Sequence, residues 1–222
     1  AHGIKVDEIA NNILSGICEP ASSPFTPATF GYLDGLPRIP YDLAKARQLL
    51  QEAGIKPGHK VTFNLHTQSF AALPNAPQVL EAIAGNLEAM GFVVERQATD
   101  SGAWLQMMRG GRHPMIYYGP SSSPDDGGET INAYYVSWSG WTNGNIKVPE
   151  YDEVYKQQLA AFNPEERIRI LQRFARLESE RLESPPLFWC HTPFALSSRV
   201  KTFKPAVSSA YHINLRELEL AN

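Results

Sequence analysis

The sequence predicts an α/β fold built on a mainly parallel sheet flanked by helices, and three observations carry that expectation. Between residues 60 and 118, three short apolar stretches of strand type alternate with two helical patterns, the order of a sheet with right-handed crossovers. Several helices carry their own start and stop residues. With 222 residues and 43% hydrophobic content, the chain can bury a sizeable core.

Taken in order, the chain opens inside a helical pattern at Ala1–Ile4, which reads as a piece of a longer chain. Tyr41 to Gly54 forms a complete short helix, with Asp42 as cap, Ala and Leu residues as core face and Gly54 as a left-handed stop. Val61, Phe63 and Leu65 alternate with Thr62, Asn64 and His66, the pattern of a half-buried strand. Asn75 and Pro77 open a helix whose apolar side is Val79, Leu80, Ile83, Leu87 and Met90, and Gly91 closes it. Phe92–Arg96 is the next strand. Asp100 caps a short helix containing Trp104, Leu105 and Met108, and Met115–Tyr118 is a third strand.

Two further helices follow. Tyr151, Val154, Tyr155 and Leu159 mark the first. The second starts with Asn163 as cap, Pro164 at the first helical position and Glu166 as capping-box partner, and presents Ile168, Leu171, Phe174 and Ala175 to the core. Pro185–Pro186 ends the helical region. Leu187–Cys190 and Phe194–Leu196 read as late strands around a turn at Thr192–Pro193.

A formal net charge of −3 with scattered Lys and Arg gives no footprint for a nucleic acid. The apolar runs are too short to span a bilayer as helices. Six histidines, His2, His59, His66, His113, His191 and His212, fall in no metal-ligand spacing, so neither a metal nor another cofactor is expected. Cys190–His191 are neighbours on a strand and point to opposite faces, which excludes a thiol–imidazole dyad there. Ser198-Arg199-Val200-Lys201 fits a Ser-x-x-Lys pattern without the companion motifs that would give it meaning. Cys18 and Cys190 read as two free or buried thiols, with a disulfide as the alternative.

The rule for parallel sheets places ligands beyond the C-terminal strand ends, at Thr67–Pro74 and Gly119–Gly128. The second loop is long and rich in Ser, Pro, Gly and Asp, which makes Tyr118, Ser121, Ser122 and Asp125 candidate ligand contacts. Asp125, Asp126 and Glu129 form an acidic patch able to hold an ammonium group, or alternatively a solvated acidic turn. Trp138 and Trp141, close to Tyr134, Tyr135 and Asn143, supply flat apolar surface beside an amide. Tyr134 and Tyr135 alternatively pack beneath the loop.

The Tyr41–Gly54 segment resembles the Tyr-Asp-Pro-x-Lys-Ala-x-x-Leu-Leu-x-Glu-Ala-Gly signature of the family 5 extracytoplasmic solute-binding proteins that serve ABC importers, with Leu43 in place of the family's Pro. Val6–Ile9, Asn12–Gly16, Glu19–Ala21, Ser23–Pro24, Gly31–Tyr32, Gln78–Gly91, Val148–Asp152, Pro185–Leu187 and Val200–Phe203 are similar to further family passages in the same order, with Thr202 replacing a Gly. The resemblance implies a class II periplasmic-binding-protein-like second lobe over residues 1–205. Residues 206–222 would then be a C-terminal segment returning to a first lobe. It also implies capture of a peptide or other small molecule without catalysis, docking on ABC permease subunits, and a periplasmic or otherwise extracytoplasmic location, free or lipid-anchored. A nickel chelate or an oligosaccharide is the alternative cargo, and a non-transport sensor lobe or an enzyme using Asp125 or Glu129 as base are the rival roles. Peptide binders of the family commonly place an Asp directly after the third strand for the peptide amine. Here Gly119-Pro120-Ser121-Ser122-Ser123 follows that strand, and the first acid is Asp125.

Overall fold

The computed structural model describes residues 1–66, 74–100, 102–103, 106–107, 126–139, 146–191, 193–204 and 218–220. Along these residues run α1 (Val6–Asn12), β1 (Cys18–Pro20), α2 (Leu43–Glu52), β2 (Lys60–His66), α3 (Ala76–Met90) and β3 (Val93–Thr99). They are followed by α4 (Gly127–Tyr134), α5 (Pro149–Ala160), α6 (Pro164–Arg181), β4 (Phe188–Cys190), β5 (Val200–Thr202) and β6 (Glu219–Leu220).

Local signals set most of the boundaries. Asp42 accepts the Lys45 N–H at 2.8 Å and starts α2, and Gly54 follows its end at φ +76°, a conformation costly for any residue with a Cβ. The expected core face of α2 is narrower than its composition suggests, for only Ala46 is fully buried. Asn163 accepts the N–H groups of Glu165 and Glu166 at 2.9 and 3.2 Å, and Pro164 occupies the first position of α6. Asn75 behaves otherwise. It sits at φ +52° ahead of α3, makes no cap, and instead donates its amide to the Ile13 carbonyl at 2.8 Å, tying α3 to the end of α1.

The longest ladder is parallel. β2 and β3 pair over seven residues, from Lys60 opposite Val93 to His66 opposite Thr99, with α3 as the connection. The helix lays Val79, Leu80, Ile83 and Leu87 against Phe63 and Val94, and Ile9, Leu14 and Cys18 complete this first core. The third expected strand, Met115–Tyr118, lies outside the described residues. So does most of the short helix after Asp100, although Asp100 accepts the Ala103 N–H at 2.8 Å as a cap should.

Two shorter ladders are antiparallel. β1 pairs with β4, and β5 pairs with β6. Phe194–Leu196, expected to be a strand, has no strand pairing among the described residues, and Phe194 packs its ring 5.0 Å from Phe203. The β1–β4 ladder overturns the reading of two separate thiols. Cys18 stands directly opposite Cys190, and the two form a disulfide across 172 residues of sequence. Sequence spacing carries no information on that approach, because it is the ladder register that brings the two Cα atoms to 4.0 Å.

A second core lies between α4, α5 and α6. Ile131, Tyr135, Tyr151, Val154, Leu171, Phe174 and Ala175 close around Phe25, with the rings of Tyr135, Tyr151 and Phe174 packed edge to face. Val136, Ile146 and Val148 are buried in the same cluster.

One acid enters this core. Glu178 has no exposed surface; it accepts the hydroxyl of Tyr151 and, at 2.8 Å, the backbone N–H of Ser184, fastening the turn after α6 to α5. Burial raises the Glu178 pKa, Tyr151 and Ser184 oppose the rise as donors, Glu183 adds to it and Arg181 lowers it. The same burial, together with the Glu178 charge, raises the pKa of both tyrosine hydroxyls.

A carboxyl whose pKa is higher in the folded chain contributes stability that is full below its unfolded value, about 4.3, and is lost as the pH rises through the folded value. The unfolding free energy of the native chain minus that of Glu178→Gln is therefore expected to fall as the pH rises above the unfolded value and to level off once it passes the folded one, in urea titrations; a difference that is flat throughout would contradict the assignment. At the apolar centre, Phe174→Ala is expected to cost about 3–5 kcal/mol in the same measurement.

Candidate functional site

The sheet rule directs attention to the residues beyond β2 and β3 and around the start of α4. Of the expected ligand contacts, Tyr118, Ser121, Ser122, Asp125, Trp141 and Asn143 lie outside the described residues, as does Thr67–Leu73 of the other strand-end loop. Trp138 is described. It follows α4 by one turn and is half exposed, its indole meeting the Tyr155 ring edge-on at 6.1 Å, with the Lys156 ammonium 5.9 Å from its centre. It thus offers apolar surface and a nearby cation at one spot. Tyr135 is buried in the second core and Tyr134 packs against it, so these two take the packing role rather than a surface one.

The acidic patch divides. Asp126 is the cap of α4, its Oδ1 accepting the Gly128 N–H at 2.8 Å. Both of its oxygens also accept from Arg167 on α6, each at 2.7 Å. Arg167 donates its Nε to Gln158 on α5 at 2.9 Å and lays its guanidinium 5.2 Å from the centre of the Phe30 ring. The Phe30 carbonyl accepts the Gly127 N–H at 3.0 Å, and the backbone beside it bridges to Asp126. Asp126 is therefore neutralised and committed to structure, while Glu129 one turn further is exposed.

This clamp explains the second of the two glycines at the head of α4, while the first, Gly127, lies against the Phe25 ring. A Cβ on Gly128 would lie 2.6 Å from Gln158 Oε1 and 2.7 Å from Arg167 Nη2, inside the space the ion pair fills. At its other end α4 is held by Asp152 of α5, which accepts the Ser137 N–H at 2.8 Å and the Ser137 hydroxyl at 2.6 Å.

Chemically the clamp is an anchor, since its one guanidinium and one carboxylate are spent on each other. Among the described residues no group of three His, Cys, Asp or Glu side chains is placed to hold a metal. His2 bonds the Pro40 carbonyl at 2.9 Å, His59 packs edge-on to Phe92, and His191 lies 3.5 Å from Glu19, three separate places in the fold. Cys190 is spent in the disulfide and is no nucleophilic thiol. A cleft at the end of α6, walled by Val6, Ala21, Pro37, Ile39, Leu182 and Pro186, contains none of the expected contacts, and its Arg38 is paired with Asp7 at 2.7 Å.

Sequence reasoning passed over Arg167 and Gln158. A signal for the cap did exist: Asp126-Gly-Gly-Glu129 has the capping-box spacing of a helix start. Nothing in the sequence points across 41 residues to Arg167.

The model of the family described as bacterial extracellular solute-binding proteins, family 5, middle part, matches residues 1–142. The di/tripeptide-binding protein 2 of Pseudomonas aeruginosa is 31% identical over 110 residues, which are 48% of this chain and 20% of that protein. In structure, the chain superposes with a TM-score of 0.82 at 22% identity on the periplasmic binding protein DppA from Helicobacter pylori in complex with the peptide STSA, covering 100% of this chain and 43% of that one. NikA from Staphylococcus aureus in complex with Ni(L-His)2 gives a TM-score of 0.76 at 17% identity, covering 98% of this chain and 46% of that one. The chain thus spans less than half the length of these proteins, and the shared fold accommodates different cargoes.

The Arg167 clamp is part buried and holds three elements together, so Arg167→Met is expected to destabilise the chain by about 1–3 kcal/mol, between the values for exposed and buried pairs. Asp126→Asn, which keeps the cap oxygen, is expected to cost less than Asp126→Ala. Urea unfolding of the three variants checks the order.

Proposed function

We propose that this chain, which belongs to the bacterial extracellular solute-binding proteins of family 5, forms one lobe of a two-lobed receptor that captures ligand for an ABC importer. The single observation that carries the reading is the family match over most of the chain. The likeness of fold to DppA and NikA over nearly the whole chain supports it. In this reading residues 1–205 are the ligand-facing second lobe, and 206–222 return to a first lobe that supplies the other half of the cleft.

The mechanism is capture by closure. A ligand that touches both lobes stabilises their closed arrangement over the open one by its differential affinity for the two, and the closed form docks on the permease subunits. No proton transfer or covalent step is required, so the role is binding and not catalysis. The place of action is outside the cytoplasmic membrane, in the periplasm or on a lipid anchor. The disulfide agrees with that place, since such bonds persist in oxidising compartments. No helix among the described residues is long and apolar enough to cross a membrane.

The cargo proposed is a short peptide, with Tyr118, Ser121, Ser122, Asp125, Trp138, Trp141 and Asn143 as this lobe's ligand contacts. Asp125 is the carboxylate offered to a peptide ammonium, Asp126 being held by Arg167. A metal chelate is the second reading, favoured by the NikA likeness of fold and by the absence of an acid directly after residue 118.

Native mass spectrometry of the complete two-lobed protein, followed by denaturation, is expected to release a population of short peptides. A nickel or iron chelate in their place would move the cargo to the second reading. In calorimetric titration with a dipeptide, Asp125→Asn and Trp138→Ala are each expected to weaken binding by about tenfold, the scale of one charge-assisted contact or one lost aromatic face. An unchanged affinity would remove that residue from the site.

A further inference from the structure

The disulfide is asymmetric. Cys18 is 3% exposed and belongs to the first core, packed with Ile9, Leu14 and Phe63, whereas Cys190, on the same face of the ladder, is the last residue of β4 and is exposed. Thiol–disulfide exchange proceeds by in-line attack, so the nucleophile must approach one sulfur from the side opposite the other. For an attack on Cys18 that approach runs through the packed core. For an attack on Cys190 it comes from the outer edge of β4.

We propose that Cys190 is a site of reversible S-thiolation by small thiols, and that Cys18 is the buried resolving partner. In the forward step a thiolate RS⁻ attacks the Cys190 sulfur. An RS–S bond forms there, the bond to Cys18 breaks, and its electron pair leaves on the Cys18 sulfur, which takes a proton from solvent. One disulfide is exchanged for another with no net oxidation. A second thiolate attacking the RS sulfur of the adduct releases RSSR and the Cys190 thiolate, a two-electron reduction supplied by the thiol. In the reverse direction the Cys190 thiolate attacks RSSR, and the Cys18 thiolate then attacks the Cys190 sulfur, expels RS⁻ and restores the bridge.

Polar contacts other than the sulfur bridge also join the two strands. The Ala21 N–H donates to the Leu187 carbonyl at 3.0 Å and the His191 N–H to the Ile17 carbonyl at 2.8 Å, at the two ends of the β1–β4 ladder and without involving the sulfurs. Trp189 keeps its indole N–H on the Ser23 carbonyl at 3.0 Å. The sulfurs therefore stay close to each other, and resolution by Cys18 is intramolecular.

The test uses the intact oxidised chain and 2-mercaptoethanol at pH 8, quenched with acid at short times, with the adduct and the freed thiol located by peptide mapping. The mercaptoethanol adduct is expected on Cys190, with Cys18 as the free thiol, at least about tenfold over the reverse arrangement. Single-cysteine variants give a second reading. Toward hydroxyethyl disulfide, Cys190 in Cys18→Ser is expected to react at least about tenfold faster than Cys18 in Cys190→Ser in buffer, with the difference vanishing in urea. Adduct on Cys18, equal labelling, equal variant rates in buffer, or exchange that begins only in denaturant would each overturn the proposal.

Discussion

The inward face of α6 is the constraint on which half of this structure depends. Leu171, Phe174 and Ala175 have no exposed surface, and burying such a face is favourable only if the polar groups carried in with it are paired. The helix meets that condition along its length. Near its start Arg167 closes on Asp126 and Gln158, fixing α4 and α5. In the middle Gln172 donates to the Tyr32 carbonyl at 3.0 Å, fixing the long connection between β1 and α2. Near its end Glu178 takes Tyr151 and Ser184, fixing α5 again and the turn that launches β4. Apolar area supplies the driving force, and the three polar contacts decide which arrangement it drives.

The first half of the chain depends on a different device, a strand–helix–strand unit closed by a distant segment. α3 covers β2 and β3 from one side, and α1 and β1 seal the rest of that core, but β1 has only three residues of ladder to hold it. The partner in that ladder is β4, from the far end of the sequence, and the disulfide secures the pairing. By the chain-entropy argument a closed loop of 172 residues is worth about 5 kcal/mol. The covalent contact thus reinforces a short non-covalent one.

How much of this was legible follows from the range of each interaction. Asp42, Asn163 and Pro164 act within a single turn, and their caps were readable because the acceptor and its N–H are fixed by local spacing. The β2–α3–β3 order was readable from period alone. Asn75 does stand at the start of α3 as its position suggests, but its amide answers to Ile13, 62 residues earlier, and that contact replaces the local cap. Phe194–Leu196 has strand composition but finds Phe203 in place of a partner strand. The disulfide, the Arg167 clamp and the burial of Glu178 are all long-range and polar or covalent, and a periodic pattern records none of these. Of the candidate site, Trp138 could be weighed against its surroundings, and Asp126 could be moved from ligand chemistry to architecture because its two oxygens are occupied.

The bridge between Cys18 and Cys190 also settles how the chain would carry a mechanical load. Force applied at the two ends passes through the sulfur bond, and the 172 residues of sequence separation drop out of the load path. Fully drawn out, that stretch would otherwise contribute about 600 Å of length. An oxidised chain under tension therefore lengthens only by what lies outside the two cysteines, with the second core and the whole α6 surface shielded while α1 is pulled from the first core, and a reduced chain has no such limit.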